Sequence, residues 1–329
     1  MTENNNLVRS LHRRLADLGE VSILDNTKVS EITLGKSSTP SGPNLSLWPH
    51  LKLSNSRTIA ARLLVGADGP NSPVRTFADI PSRGWDYNRH GVVATLKLDS
   101  APEHPATAYQ RFLPTGPIAL LPLPGPYATL VWSTTPEKAT ILKSLAPADF
   151  VTMVNAAFRL TPTDIAYLHT LSTNHADELS WRIKHTPIPS NIPILATAVQ
   201  DNSVASFPLR LRHADTYATH RIALVGDAAH TTHPLAGQGL NMGIGDVASL
   251  ARTIGFAVEH GMDIGDQLSL EAYNSERYEP NHRLLGVVDK LHKLYSTDAG
   301  PVVALRSWGL EAVDRMQGVK SFLMRMASG

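Results

Sequence analysis

The sequence predicts an α/β protein whose main domain is interrupted by an antiparallel, β-rich one and followed by a C-terminal helix. Three observations predict it. Two apolar runs, Thr58–Val65 and Arg221–Val225, each end at a Gly/Asp turn that opens onto a helix, the strand–turn–helix order of parallel sheets. Between them, after Pro81, short β-rich runs alternate with Pro/Gly turns, the spacing of an antiparallel sheet. Beyond residue 239, apolar residues recur at helical spacing.

Leu7, Leu11, Leu15 and Leu18 share a helical period, and Gly19 stops that helix. Val21–Leu24 and Lys28–Leu34 read as short strands, and Ser37–Asn44 as a polar Pro/Gly/Ser loop. Leu47–Leu53 and Thr58–Val65 are strands. The second is nearly all apolar, as in strands buried on both faces of a parallel sheet. His90–Leu98, Tyr109–Leu113, Ile118–Leu123 and Ala128–Ser133 form the antiparallel set. Pro147–Leu160 and Thr163–Leu171 are helical, and Pro187, Pro189 and Pro193 mark a connector. Ser203–Arg212 and Arg221–Val225 return to strand. A helix from Gly239 to Glu259 follows, then one over Leu268–Lys293 with a Pro280 interruption, then an amphipathic helix over Pro301–Met326. The resulting domain organisation is 1–80, 81–202, 203–295 and 296–329.

Composition excludes several classes. A chain of 329 residues holds a large core, and 42% hydrophobic content is that of an ordinary folded protein. A net charge of +1 gives no reason to expect a nucleic-acid partner. The absence of cysteine excludes disulfides, thiolate iron–sulfur ligation and Cys-type zinc sites. No apolar run approaches the roughly 20 residues that span a bilayer.

The run Leu224-Val-Gly226-Asp227-Ala-Ala-His230-Thr-Thr-His233-Pro234-Leu-Ala-Gly237-Gln238-Gly239-Leu240-Asn241 carries the most chemistry. A strand delivers Asp227 to the sheet rim, where open α/β sheets bind ligands. Pro234 supplies a rigid wall, and Gly237 and Gly239 remove side chains where a planar ring would lie against backbone. The N–H groups from Gln238 to Asn241 sit at the positive end of the next helix. A flavin needs both parts: an acceptor for its ribitol hydroxyls and donors for its pyrimidine edge. Val65-Gly-Ala-Asp68-Gly69-Pro-Asn-Ser72-Pro-Val-Arg75 is the second motif, in which Gly69 permits close approach to a diphosphate and Ser72 caps a helix. By itself it is any strand–turn–helix junction; the Gly226–Asn241 run gives it meaning.

Two further patterns read as structural. His230 and His233 lack the Glu of a zincin and the remaining ligands of a metal site. Gly243-Ile-Gly245-Asp-Val-Ala248 matches a dinucleotide fingerprint but sits inside a helix rather than after a strand, so its glycines mark close packing. The C-terminal stripe Leu305, Trp308, Ala312, Met316, Val319, Leu323 and Met326 fits a helix docked on its own core, or a membrane-surface or partner helix.

These motifs, with Ala205–Tyr217, resemble the FAD-dependent aromatic-ring monooxygenases, and among them the ubiquinone-biosynthesis hydroxylases, particularly the eukaryotic C5-hydroxylases. The resemblance implies an FAD-binding Rossmann-like domain, incomplete here, with an inserted antiparallel substrate domain. It implies that Asp68 and Gly69 lie near the FAD diphosphate, that Gly226 and Asp227 hold ribitol and phosphate, and that Pro234, Gly237, Gln238, Gly239, Leu240 and Asn241 line the isoalloxazine. Val29 would lie near the adenine. No side chain is expected to act as a nucleophile, because the family hydroxylates through a flavin C4a-hydroperoxide. The implied partners are a polyprenylated phenol, O2, a reductant that is either a ferredoxin-type protein or NADPH, and a biosynthetic complex. The implied place is the matrix side of the mitochondrial inner membrane, as a peripheral protein. The family's opening Gly-x-Gly-x-x-Gly loop does not occur here, since Gly19 is the only glycine before Gly35. The expectation is therefore a clipped enzyme, with a non-catalytic fragment or scaffold subunit of the biosynthetic complex as the alternative.

Overall fold

The computed structural model describes residues 4–35, 44–101, 107–189, 191–234 and 237–295, with isolated positions beyond. Among these residues the chain opens with α1 (Asn4–Leu18), ended by Gly19 at φ +72°. An antiparallel sheet of β1 (Val29–Leu34), β2 (Pro49–Leu53) and β3 (Thr58–Ala60) follows. Next come β4 (Leu64–Gly66) and α2 (Pro73–Phe77). The long β5 (Ser82–Leu98) leads to β6 (Tyr109–Leu113), β7 (Gly116–Pro122) and β8 (Tyr127–Thr134). Four helices succeed them: α3 (Pro136–Ser144), α4 (Pro147–Arg159), α5 (Pro162–Leu168) and α6 (His175–His185). The chain then forms β9 (Ala196–Val199), β10 (Ala205–Ala214), β11 (Ala218–Thr219) and β12 (Ile222–Leu224). A 3₁₀ turn over Gly226–Ala228 leads to β13 (His230–Thr231), α7 (Gly239–Glu259) and α8 (Gln267–Tyr295).

The chain divides into two compact units. The first comprises Met1–Val21, Asp86–Leu209 and Leu291–Ser328; the second is built on Ser22–Trp85 and Arg210–Lys290. In the first, β9, β5, β8, β7 and β6 are antiparallel neighbours. Alternation along β8 sends Ala128, Leu130 and Trp132 to the buried face. There they join Leu96, Ile118, Phe150 and Met153, the last two from α4. In the second unit β4 runs parallel to β12, with Leu64 opposite Ile222 and Gly66 opposite Leu224. β11 completes that sheet. Its core gathers Val74, Tyr217, Ala223, Leu224, Leu270 and Tyr273.

Several expectations need correction. Val21–Leu24 is not a strand. The Thr58–Val65 run is two strands: β3 is exposed and pairs antiparallel with β2, and only β4 enters the parallel pair. Apolar content alone does not show where a run changes sheets. Pro280 does not interrupt α8, which continues on both sides of it. Proline removes one ladder hydrogen bond, and buried Leu270, Tyr273, Leu285 and Val288 hold both flanks. Helices α3 and α6 have no counterpart in the reading above, although Thr135, followed by Pro136, caps α3 by accepting from the Lys138 N–H. The Pro301–Met326 helix lies outside the described residues.

Candidate functional site

The parallel pairing of β4 with β12 places the ends of both strands at one sheet edge. Asp68-Gly69 leaves β4 there and Gly226-Asp227 leaves β12. Two motifs separated by more than 150 residues in sequence therefore meet at the rim where open α/β sheets take ligands. The Val225 N–H donates to the Gly66 carbonyl at 3.0 Å, extending the pairing by one residue.

Each turn is fixed from within. The Asp68 carboxylate accepts from the Val74 N–H at 3.1 Å, and Ser72 Oγ accepts from the Arg75 N–H at 2.9 Å. Ser72 therefore caps α2 as its sequence position predicts. Arg75 ties the two turns together, donating to the Ala228 carbonyl at 2.7 Å and to the Pro70 carbonyl at 2.9 Å. Burial lowers its guanidinium pKa, while the nearby Asp68 acts in the opposite direction. Gly69 (φ +86°) is required by its left-handed backbone; a Cβ there would meet nothing within 4 Å, so the turn faces open space.

Asp227 is exposed at the end of β12, within the 3₁₀ turn. Although its surface is open to solvent, the protein packed around the carboxyl desolvates it enough to raise its pKa, opposed by His230. Beneath it lies a group the sequence reading missed. Asp246, fully buried on α7, accepts from the Gly226 N–H at 3.1 Å and pairs with His230 Nε2 at 2.5 Å. Its other oxygen accepts from Arg277 Nε and Asn281 Nδ2, each at 3.0 Å. Burial alone would raise the Asp246 pKa; hydrogen bonds from His230, Arg277 and Asn281 overcome it and hold the group ionised below the usual range. The only sequence signal was a lone acid inside an apolar helix, with its partners on a different helix.

The glycines of Gly243–Ala248 are packing residues. A Cβ on Gly243 would lie 3.4 Å from Gly226 Cα, and one on Gly245 would lie 2.7 Å from Arg277 Nη2. The first lets α7 approach the turn; the second admits the guanidinium that reaches Asp246.

At its other end α7 begins at Gly239 with Gln238 as N-cap, and no side chain caps it. The first-turn N–H groups of Gly239, Leu240 and Asn241 stand at the positive pole of a 21-residue helix. Gly237 (φ +61°) has nothing within 4 Å of a built Cβ, and its N–H donates to the Pro234 carbonyl at 3.0 Å. Leu240 is 54% exposed. Val29 lies on β1, opposite Leu53 of β2 and half exposed, rather than on the β4–β12 edge. The structure thus brings Asp68, Gly69, Gly226 and Asp227 to one edge, and sets Gly237–Asn241 at the head of the helix packed on that turn. His230 and His233 are both buried, and His230 serves Asp246.

Open donors, an exposed carboxylate and side-chain-free backbone fit a flavin's ribitol, phosphates and pyrimidine edge. Comparison with known proteins gives the same class. The fold is shared with p-nitrophenol 4-monooxygenase from Pseudomonas putida (TM-score 0.71, 16% identity, covering 100% of this chain and 73% of that one). It is shared also with PqsL, a probable FAD-dependent monooxygenase from Pseudomonas aeruginosa (TM-score 0.63, 20% identity, 88% and 69%). Residues 4–285 match the family described as FAD binding domain. The chain is 46% identical to the mitochondrial ubiquinone biosynthesis monooxygenase COQ6 of Saccharomyces cerevisiae, over 100% of this chain and 71% of that protein. It is 47% identical to that of Schizosaccharomyces pombe (84% and 58%) and 43% identical to the human one (86% and 60%). The chain belongs to the ubiquinone biosynthesis monooxygenase family. It spans between 58% and 71% of the length of these three relatives. Family membership favours the enzyme over the non-catalytic scaffold.

Proposed function

We propose that the protein is an FAD-dependent monooxygenase that hydroxylates the aromatic ring of a polyprenylated phenol in ubiquinone biosynthesis, with O2 as oxidant. The juxtaposition of Asp68-Gly69 and Gly226-Asp227 on adjacent parallel strands carries this reading. Asp227 would accept from ribitol hydroxyls, and the Gly69 and Gly226 backbone would approach the phosphates. Gly237, Gln238, Gly239, Leu240 and Asn241, with Pro234, would line the ring. When bound, FAD supplies the oxygen-activating chemistry. The chain's own residues bind and orient it, and the head of α7 stabilises negative charge on the reduced ring through its N–H groups. Val29 is a proposed adenine neighbour. Residues 81–202 are proposed as the substrate domain, between flavin-domain parts 1–80 and 203–295.

The reductant, a ferredoxin-type protein or NADPH, and a biosynthetic complex belong to this proposal, as does a peripheral position on the matrix side of the mitochondrial inner membrane. The relatives named above are mitochondrial by name, and no helix among the described residues is long and apolar enough to cross a membrane.

Titration of FAD into the purified chain, followed by flavin fluorescence, tests the site. Asp227→Ala is expected to weaken binding by about ten-fold or more, the loss of hydrogen bonds to a charged acceptor. The urea midpoint should barely move, because Asp227 is exposed. Equal FAD affinity in variant and parent would remove Asp227 from the site.

A further inference from the structure

The second unit holds a cavity of about 340 Å³ on the side of β10 and α8 that the flavin reading leaves unused. Trp85, Leu211, Tyr278, Leu285, Gly286 and His282 line it. This volume suits one small ring. Gly286 opens it: a Cβ there would meet nothing within 4 Å, in the middle of a helix where glycine costs about 1 kcal/mol relative to alanine. Arg83, at the same cavity, is paired with Asp215 at 2.9 Å, so it offers no free cation.

What makes the cavity informative is the polarity of the hydrogen bonds behind it. Tyr217 is fully buried and burial pushes its pKa up, so the phenol keeps its proton. Its hydroxyl lies 2.8 Å from His213 Nε2, and donating there is what satisfies that buried proton. His213 is buried and burial, then His282 and His230, lowers its pKa to about 4, so it is neutral at pH 7 and carries its one proton on Nδ1. His213 Nδ1 lies 3.3 Å from His282 Nδ1 and donates to it. Because His282 Nδ1 accepts, the ring's proton lies on Nε2, an atom that makes no hydrogen bond among the described residues. A buried phenol thus sets, two hydrogen bonds away, the tautomer of a histidine at the cavity.

We propose that this cavity binds a flat, uncharged ring bearing a hydrogen-bond acceptor, a ketone or quinone carbonyl, and that the His282 Nε2–H is the donor that receives it. Trp85 and Tyr278 supply aromatic walls, Leu211 and Leu285 an apolar floor, and Gly286 the room. The site is separate from the flavin loops: none of its lining residues lies in the 68–69 or 226–241 stretches.

The test uses the full chain with 15N-labelled histidine. Long-range 1H–15N spectra should show His213 as the Nδ1–H tautomer and His282 as the Nε2–H tautomer. Acetophenone should then shift His282 Nε2 saturably. Ethylbenzene, the same shape without an acceptor, should bind several-fold more weakly, the usual effect of one hydrogen bond. Gly286→Leu should abolish binding of both compounds. Tyr217→Phe, which frees His213 to invert, should weaken acetophenone about five-fold and leave ethylbenzene unchanged. The Gly286 variant, on a helix surface, keeps the test decisive should the buried Tyr217 variant not fold. An Nδ1–H tautomer at His282, equal binding of the two compounds, or no saturable shift with acetophenone would overturn the proposal.

Discussion

The two units bury different things. The core of the first is a sheet face and a helix meeting through Leu96, Ile118, Leu130, Trp132, Phe150 and Met153. The core of the second includes a charged centre: Asp246, with no exposed side-chain surface, held by His230, Arg277, Asn281 and the Gly226 N–H. An apolar core holds elements together without fixing any one backbone atom. A buried carboxylate is directional, and it selects one position for the turn that carries Asp227. Burying such a charge costs several kcal/mol before its partners offset it. The second unit accepts that cost next to the edge where position matters for chemistry; among the described residues the buried charge of the first, Arg159, is a cation held by the Asn155 and Pro193 carbonyls, with no carboxylate anchoring a turn.

The largest effect should come from breaking that centre. Asp246→Ala leaves Arg277 and the Gly226 N–H without their acceptor, and should cost about 3–5 kcal/mol of stability. Whatever folds should bind FAD more weakly, since the 226–228 turn loses its anchor. Urea unfolding and FAD titration on the same samples measure both. Met153→Ala in the first unit should cost about 2–5 kcal/mol through its cavity, yet leave FAD affinity per folded molecule unchanged. If Met153→Ala weakened FAD as much as Asp246→Ala, the contrast between the units would fail.

A pH series sharpens it. Among the described residues, each unit buries a histidine with a pKa lowered to about 4: His169 by burial, Lys138 and His175, and His213 by burial, His282 and His230. A histidine depressed in the folded state stabilises fully above its unfolded pKa of about 6.5, and that stability is lost as pH falls towards 4. Both units should therefore weaken over this window, by an amount on the order of 2 kcal/mol per histidine. His169→Phe should flatten the pH dependence of the first unit, followed by Trp132, whose ring centroid lies 6.0 Å from that of His169. The second unit should keep its slope.

The two motif turns were legible in the sequence because each is local: a strand, a Gly/Asp pair and a capped helix lie within about a dozen residues. Their meeting was an inference from the motifs, and the β4–β12 pairing supplies it. The Asp246 centre was not legible. Arg277 and Asn281 lie 31 and 35 residues away on α8, and no period or cap signals a contact between two helices. The glycines at 243 and 245 were read as packing residues, but what they pack against is a turn and an arginine named only by the structure. Pro280 misled for the opposite reason: a strong local signal was outweighed by tertiary burial on both sides.

The smallest effect concerns how the β4–β12 pair is aligned at its start. Arg221, in a left-handed conformation at φ +62°, accepts from the Leu64 N–H through its carbonyl at 2.9 Å. Its guanidinium donates to the Arg62 carbonyl at 2.9 Å and to Asp263 Oδ2 at 2.6 Å, and stands 4.9 Å from the Trp48 ring centroid. Asp263 also accepts from Arg62 and from the Gly265 N–H. Hydrogen bonding from Arg221, against a smaller opposing effect of burial, holds its carboxyl well below the usual range. A carboxylate depressed in the folded state stabilises above its unfolded pKa and loses that stability as pH falls through the folded one, so the loss should begin below about pH 4. Because Asp263 is 36% exposed, solvent screening limits its worth, and Asp263→Asn should cost about 1 kcal/mol at pH 7 and progressively less towards pH 2. FAD affinity should be unaffected, since the substitution acts at the opposite end of the strands from Asp68 and Asp227. A variant as stable as the parent at pH 7 would show that strand pairing alone sets the alignment on which the site depends.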